Sequence, residues 1–193
     1  MLISTFAEIR TEILCGRVDS AISLLNQHFP AVLSEDIAIK LSANDDPRPS
    51  TSNLEYVSST STEPAHLLLN LRILAFSEAC RTVPLDYPPK PIDPMSMDTD
   101  ETPATVGEAP DQEMLLTKAQ KLYAFTNALP NPADRATYLK ELENVGGLLA
   151  YNVPEESSMA KYLTLERREA VADQINRAIL SKYFFLSVML MKY

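Results

Sequence analysis

Residues 2–30, LISTFAEIRTEILCGRVDSAISLLNQHFP, carry two apolar stripes of helical period with a single glycine between them. Over Leu2 to Leu14, the residues Phe6, Ile9, Ile13 and Leu14 fall on one face of a helix. Gly16 follows directly, where a helix end favours a left-handed residue without a Cβ. Val18, Ala21, Ile22 and Leu25 stripe a second helix from about Val18 to His28. Phe29-Pro30 ends it, because the residue before proline avoids the α region. Two helices this short bury their stripes against each other and against a third element. The reading is therefore one of helix packed on helix.

The same signals recur outward along the chain. Pro64 suits a first helical turn and opens an apolar helix from Ala65 to about Arg81, with Leu67, Leu68, Leu71, Leu74, Ala75 and Ala79. Apolar residues cover much of its circumference, which predicts a central core helix. Helical pattern resumes from Gln112 to Leu129 through Leu115, Leu116, Ala119, Leu122, Tyr123 and Thr126. Asn131 as cap, Pro132 at the first position and Asp134 in the first turn then start another helix. It carries Tyr138, Leu139, Leu142, Val145, Leu148 and Leu149, and Gly146-Gly147 within it predicts a close helix–helix approach. Asn152-Val153-Pro154 breaks the chain. A short helix from Glu155 to Leu163 leads to Thr164 as cap of a long last helix, with Leu165, Ala172, Ile175, Ile179 and Leu186 on its apolar side.

Two stretches lack this pattern. Residues 42–63 hold nine serines and threonines with Pro47 and Pro49, and are expected to form a flexible insertion. Val83 to Asp111 contains seven of the fourteen prolines, and from Pro84 to Glu113 eight acids face only Lys90. That window accounts for −7 of the net −9, so the helical remainder is nearly neutral. A segment of this kind cannot bury enough apolar surface to offset its ordering entropy, which predicts a solvated tether. The expected fold is all-α, a bundle of about seven helices with two disordered insertions. Its divisions are a first set of helices over 1–83, an acidic proline-rich linker over 84–111, and a second helical unit over 112–193.

Composition narrows the function. Only four glycines occur among 193 residues, too few for the turns of an all-β fold. The net charge of −9 argues against nucleic acid, whose phosphates are bound by lysine and arginine. It also argues against an anionic membrane surface. Cys15 and Cys80 have no C-x-x-C spacing and are expected as buried thiols in a reducing compartment. His28 and His66 each lack a second ligand at i+3 or i+4, so no metal is expected. No secretory signal is evident at the start. The apolar tail from Tyr183 to Met191 is short against the about twenty residues that span a bilayer. The expectation is a soluble chain, cytoplasmic or nuclear, that needs no membrane.

No nucleophile elbow, phosphate-binding loop or paired metal-binding histidines are present. Glu155-Glu156, Glu141 with Glu143, and Glu166-Arg167-Arg168-Glu169 read as solvated helix charge, the last an ordinary ion-pairing face. Catalytic, cofactor and metal residues are expected to be absent, and the chain is expected not to be an enzyme.

Three runs carry a family resemblance: Ile13-Leu14-Cys15-Gly16-Arg17-Val18, then Ala21-Ile22-Ser23-Leu24-Leu25-Asn26-Gln27-His28-Phe29-Pro30, then Leu67-Leu68-Leu69-Asn70-Leu71-Arg72 with Phe76. They resemble a CTLH motif. Asp134 to Leu139, Leu148-Leu149-Ala150-Tyr151, Pro154-Glu155-Glu156-Ser157, Leu163 to Arg168 and Ala172-Asp173-Gln174-Ile175-Asn176 resemble a CRA domain. Together the segments look closest to the C-terminal region of RanBPM-like scaffold subunits of the GID/CTLH ubiquitin-ligase complex. The resemblance implies a non-catalytic scaffold whose partners are other CTLH-, LisH- and CRA-bearing subunits, with self-association as a second option. It departs from the pattern in the 42–63 insertion and the long linker. The sequence also opens almost at the first CTLH helix, with no SPRY or LisH stretch before it, so a fragment or a shortened relative is expected.

In that family LisH and the end of CRA form a dimerisation unit. The apolar end of the last helix is thus either an interface or buried within the chain. Apolar excess and analogy select Phe184, Phe185 and Met189, and a CTLH face of Phe6, Ile9 and Ile13, as partner contacts. The alternative is a free-standing adaptor for a GTPase, cytoskeletal or signalling client, docked through the acidic linker.

Overall fold

The computed structural model describes residues 2–34, 61–89 and 112–190. Among these there are seven α-helices, three short 3-10 turns and no strand. The helices are α1 (Leu2–Leu14), α2 (Val18–His28), α3 (Pro30–Leu33), α4 (Pro64–Ala79), α5 (Gln112–Asn127), α6 (Pro132–Gly146) and α7 (Leu165–Leu190). The all-α expectation holds. Most of the expected insertion over 42–63, and the linker from residue 90 to 111, lie outside the described residues.

Local chemistry explains the boundaries. Gly16 takes φ +77° between α1 and α2, the left-handed conformation the sequence called for. Pro30 does more than end α2. It also starts α3 at its first position, and this single turn buries Ala31 and Val32. The Asn131 side chain caps α6 by accepting from the Ala133 amide at 3.0 Å. The helix expected over 155–163 is instead two 3-10 turns, Pro154–Glu156 and Ala160–Leu163, separated by an extended Ser157. Gly146 and Gly147 end α6 and begin a 3-10 turn over Gly147–Ala150. The close helix approach expected there is absent: a Cβ on Gly146 would meet nothing within 4 Å, and one on Gly147 only Met159 at 3.5 Å.

The pattern on α4 organises the rest. Leu67, Leu71 and Leu74 recur at i, i+4 and i+7 on one side, and Leu69, Ile73, Phe76 and Cys80 repeat the interval on the other. The first stripe joins Ile9, Ile13, Leu14, Val18, Ala21, Leu25, Phe29 and Val32 with Val171, Ala172, Ile175, Ala178 and Ile179 of α7. The second joins Leu115, Leu122, Leu129, Tyr138, Leu142, Val145, Leu148, Tyr162 and Leu163. One helix therefore serves two cores, and α7 crosses back from the far end of the chain to pack on α1, α3 and α4. The divisions 1–83 and 112–193 do not mark separate cores, because α7 completes the first and α4 belongs to both.

Candidate interaction surface

Four charged side chains lie on the apolar stripes, not opposite them. Glu78 continues Leu67, Leu71 and Leu74 by one more step of i+4. Arg168 stands four and seven residues before Ala172 and Ile175 of α7. The two meet in the interior, where Arg168 is 2% exposed. Its Nε and Nη2 donate to Glu78 Oε1 and Oε2 at 2.8 and 2.7 Å. Its Nη1 donates to the Leu14 carbonyl at 2.8 Å and the Leu85 carbonyl at 2.9 Å. One guanidinium thus satisfies a carboxylate, an otherwise unpaired carbonyl at the end of α1, and the chain leaving α4. Burial pushes the Glu78 carboxyl up, but hydrogen bonds from Arg168 and Arg81 outweigh it, and its pKa lies below the ordinary value. Arg81 also donates to the Leu163 carbonyl, which holds the last 3-10 turn to the same point.

Gly16 abuts this junction. A Cβ there would stand 2.9 Å from Arg168 Nη2 and 3.2 Å from Glu78 Oε2. The glycine is required both by its positive φ and by the ion pair against it.

The second pair, Arg167 with Glu141, follows the same rule. Glu141 is 1% exposed, between Tyr138 and Val145 on α6, and Arg167 is 6% exposed. The reading of Glu166-Arg167-Arg168-Glu169 as a solvated face is therefore corrected at its two arginines, and that of Glu141 with Glu143 at Glu141. Glu155 is likewise engaged. It accepts from the amides of Thr82 and Val83 at 2.7 and 2.9 Å and from the Thr82 hydroxyl at 2.8 Å. With Arg168 on Leu85 and Tyr87 packed against the first core, residues 82–89 are held to the helices. The tether expected from Val83 onward is thus corrected over residues 83–89, and the rest of that stretch to Asp111 lies outside the described residues.

Of the partner contacts expected from sequence, Ile9 and Ile13 are 0% exposed in the first core and Phe6 is half-buried against it. These two isoleucines are the seam between α1 and the rest of the chain, which removes them as docking residues. The side chains of Phe184, Phe185 and Met189 lie outside the described residues. Just before them, Tyr183 stacks edge-on with Phe29 at 5.0 Å, Lys182 Nζ donates to the Ala31 carbonyl at 2.7 Å, and Leu180 is 60% exposed.

A surface the sequence did not single out lies between α2, α4 and α5. A groove of about 310 Å³ is floored by Ile22, Ala75, Phe76 and Leu122 and rimmed by Asp19, Arg72, Lys118 and Lys121. On α5, Met114, Lys118, Lys121 and Phe125 share one stripe, with Met114 and Phe125 48% and 42% exposed. The Arg72 guanidinium stands 4.3 Å over the Phe125 ring, a cation–π contact that holds the end of the groove. The one available signal was Met114, Lys118, Lys121 and Phe125 at i, i+4, i+7 and i+11, a stripe distinct from the buried Leu115, Leu122 and Thr126.

The histidine expected to stand apart does not. His66 Nδ1 lies 2.8 Å from Ser61 Oγ and 3.7 Å from Glu63 Oε2, and Nε2 lies 3.4 Å from Asp134 Oδ2. Glu63, His66 and Asp134 come close enough together to hold a metal ion. The two carboxylates, however, flank opposite ring nitrogens, so an ion bound at either nitrogen faces away from one of them. His66 thus brings the start of α4 against Asp134 at the start of α6. Sequence spacing missed Glu63, which precedes the histidine, and Asp134, which is distant in the chain.

Among the described residues no helix is long and apolar enough to cross a membrane. No curated protein and no solved structure matches the chain significantly. The family model for the CTLH/CRA C-terminal to LisH motif domain matches residues 2–191. That span runs from the glycine-linked helix pair through both cores to the returning last helix, and the chain belongs to the CTLH/CRA family of protein-interaction domains.

Proposed function

We propose that this chain is a non-catalytic scaffold of a GID/CTLH-type E3 ubiquitin-ligase assembly, of the RanBPM-like class, supporting ubiquitin-dependent degradation. It would hold other CTLH-, LisH- and CRA-bearing subunits through the C-terminal end of α7. The observation that carries the reading is the end of that helix. Its backbone stays helical to Leu190, Ile179 is its last core residue among the described side chains with Tyr183 packed beside it, and its sequence beyond is Phe-Phe-Leu-Ser-Val-Met-Leu. Leu180, 60% exposed, extends that apolar run towards solvent. An apolar run at a helix end, with an exposed leucine beside it, is what a partner helix covers.

The test is reconstitution with a purified subunit containing LisH, CTLH and CRA segments, followed by size-exclusion chromatography with light scattering. The wild-type chain forms a discrete complex, and Phe185→Asp abolishes it with helicity retained. A wild-type chain that forms no complex removes the scaffold reading. Loss of helicity in the variant means that Phe185 belongs to the fold.

A further inference from the structure

We infer that the groove between α2, α4 and α5 is a second docking site, which takes an acidic segment of a partner protein with apolar anchor residues. Among the described residues none of α7 lines it, so it is separate from the interface proposed above and does not rest on the ligase assignment. Two features define the occupant. The floor of Ile22, Ala75, Phe76 and Leu122 is apolar and recessed, which suits one or two anchoring side chains. The rim carries three cations, Arg72, Lys118 and Lys121, against the single anion Asp19.

The helical part of the chain is nearly neutral, with −7 of the net −9 falling between Pro84 and Glu113, and on it this local excess of positive charge stands out. It is also unspent, since among the described residues neither Lys118 nor Lys121 forms an ion pair. The buried arginines 167 and 168, by contrast, have carboxylate partners. Exposed Met114 and Phe125 flank the lysines along the same α5 stripe, so the wall alternates apolar, basic, basic, apolar over about three turns. An amphipathic helix with anchors at i, i+4 and i+7 and carboxylates along its margins matches that order. Charge complementarity selects acidic partners and speeds their encounter, and the apolar floor holds them.

The experiment measures fluorescence anisotropy of a labelled glutamate-rich peptide with leucines at i, i+4 and i+7, titrated with the full chain. Two counterparts accompany it, one with glutamate replaced by glutamine and one with leucine replaced by alanine. The acidic peptide binds in a salt-sensitive manner, and each counterpart binds about tenfold more weakly. Lys118→Glu with Lys121→Glu, both outside the cores, weakens the acidic peptide by a similar factor with helicity unchanged. The peptide counterparts leave the protein untouched, so they test the proposal even if that variant folds poorly. Equal affinity for the glutamine peptide, no measurable binding of the acidic one, or indifference to the two lysine substitutions overturns it. Asp98→Asn, Asp100→Asn and Glu101→Gln in the full chain provide the last arm. Tighter peptide binding by that variant assigns the groove to the chain's own acidic segment and overturns the partner.

Discussion

The two cores on either side of α4 are built differently. The first is almost wholly aliphatic, apart from Phe29, and draws its helices from both ends of the chain. The second holds Tyr138, Tyr162 and Phe76, and the chain around it passes through three 3-10 turns. Burial pushes both tyrosine hydroxyls above their ordinary pKa, so they stay neutral inside. Each core is closed by one buried arginine–carboxylate pair, but the pairs are placed unequally. Arg168–Glu78 joins α1, α4, α7 and residues 82–89 at one point, whereas Arg167–Glu141 joins α7 to α6. Elements far apart in sequence have lost much chain entropy by meeting, and a shared polar junction sets their register where apolar contacts alone are less directional.

This asymmetry is open to direct test, first by removing the arginine at the junction. Arg168→Met leaves Glu78 buried without its main partner, and the loss is expected at about 3–5 kcal/mol in urea unfolding. Arg167→Met faces the same desolvation at Glu141, and the larger loss is expected at Arg168 because the Leu14 and Leu85 carbonyls lose their donor as well. An equal or larger loss there reverses the proposed ranking.

Gly16→Ala strains a positive φ and presses on Arg168, with an expected loss of about 2 kcal/mol. Gly146→Ala, in open space at a helical φ of −59°, is expected to gain about 0.5–1 kcal/mol. Thermal unfolding of both variants compares the two glycines, and a stabilised Gly16→Ala would mean that the turn between α1 and α2 relaxes freely.

The smallest expected effect is the pH dependence of the junction. Glu78 has a folded pKa below its ordinary 4.5. Its contribution is therefore present above that value and lost as pH falls through the folded one. Unfolding midpoints of the wild type should drop on acidification below pH 4.5, and Glu78→Gln should flatten part of that slope while being less stable at neutral pH. An unchanged slope would place the acid sensitivity at other carboxylates, with Glu155 next, since it too is held below its ordinary value.

Much of this was legible in the chain. Helix identity along α1, α2 and α4, the left-handed glycine, the Asn131 cap and the central place of α4 follow from short-range rules of period, capping and φ. These rules operate within a few residues, so a sequence carries them openly. The candidate surfaces were less legible. The stripe of Ile9 and Ile13, expected as docking residues, announces burial without saying against what, and the cover is α2 together with α7 of the same chain. Arg167, Arg168 and Glu141 were read as solvated because charge usually is. The signal against that was their position on the stripes, with Arg168 in phase with Ala172 and Ile175 and Glu141 between Tyr138 and Val145.

By itself, then, the sequence determined which segments are helices, where they start and stop, and that their faces must be covered. Only the tertiary structure decided which faces cover which. It brought α7 back onto α1, aimed two arginines inward at facing carboxylates, and left two lysines and Arg72 around an apolar hollow. The physical reason is range. Helix formation is settled by neighbours within a turn or two, whereas the pairing of stripes and buried charges depends on residues far beyond that range, as Arg168 is separated from Glu78 by 90 positions and from Leu14 by 154.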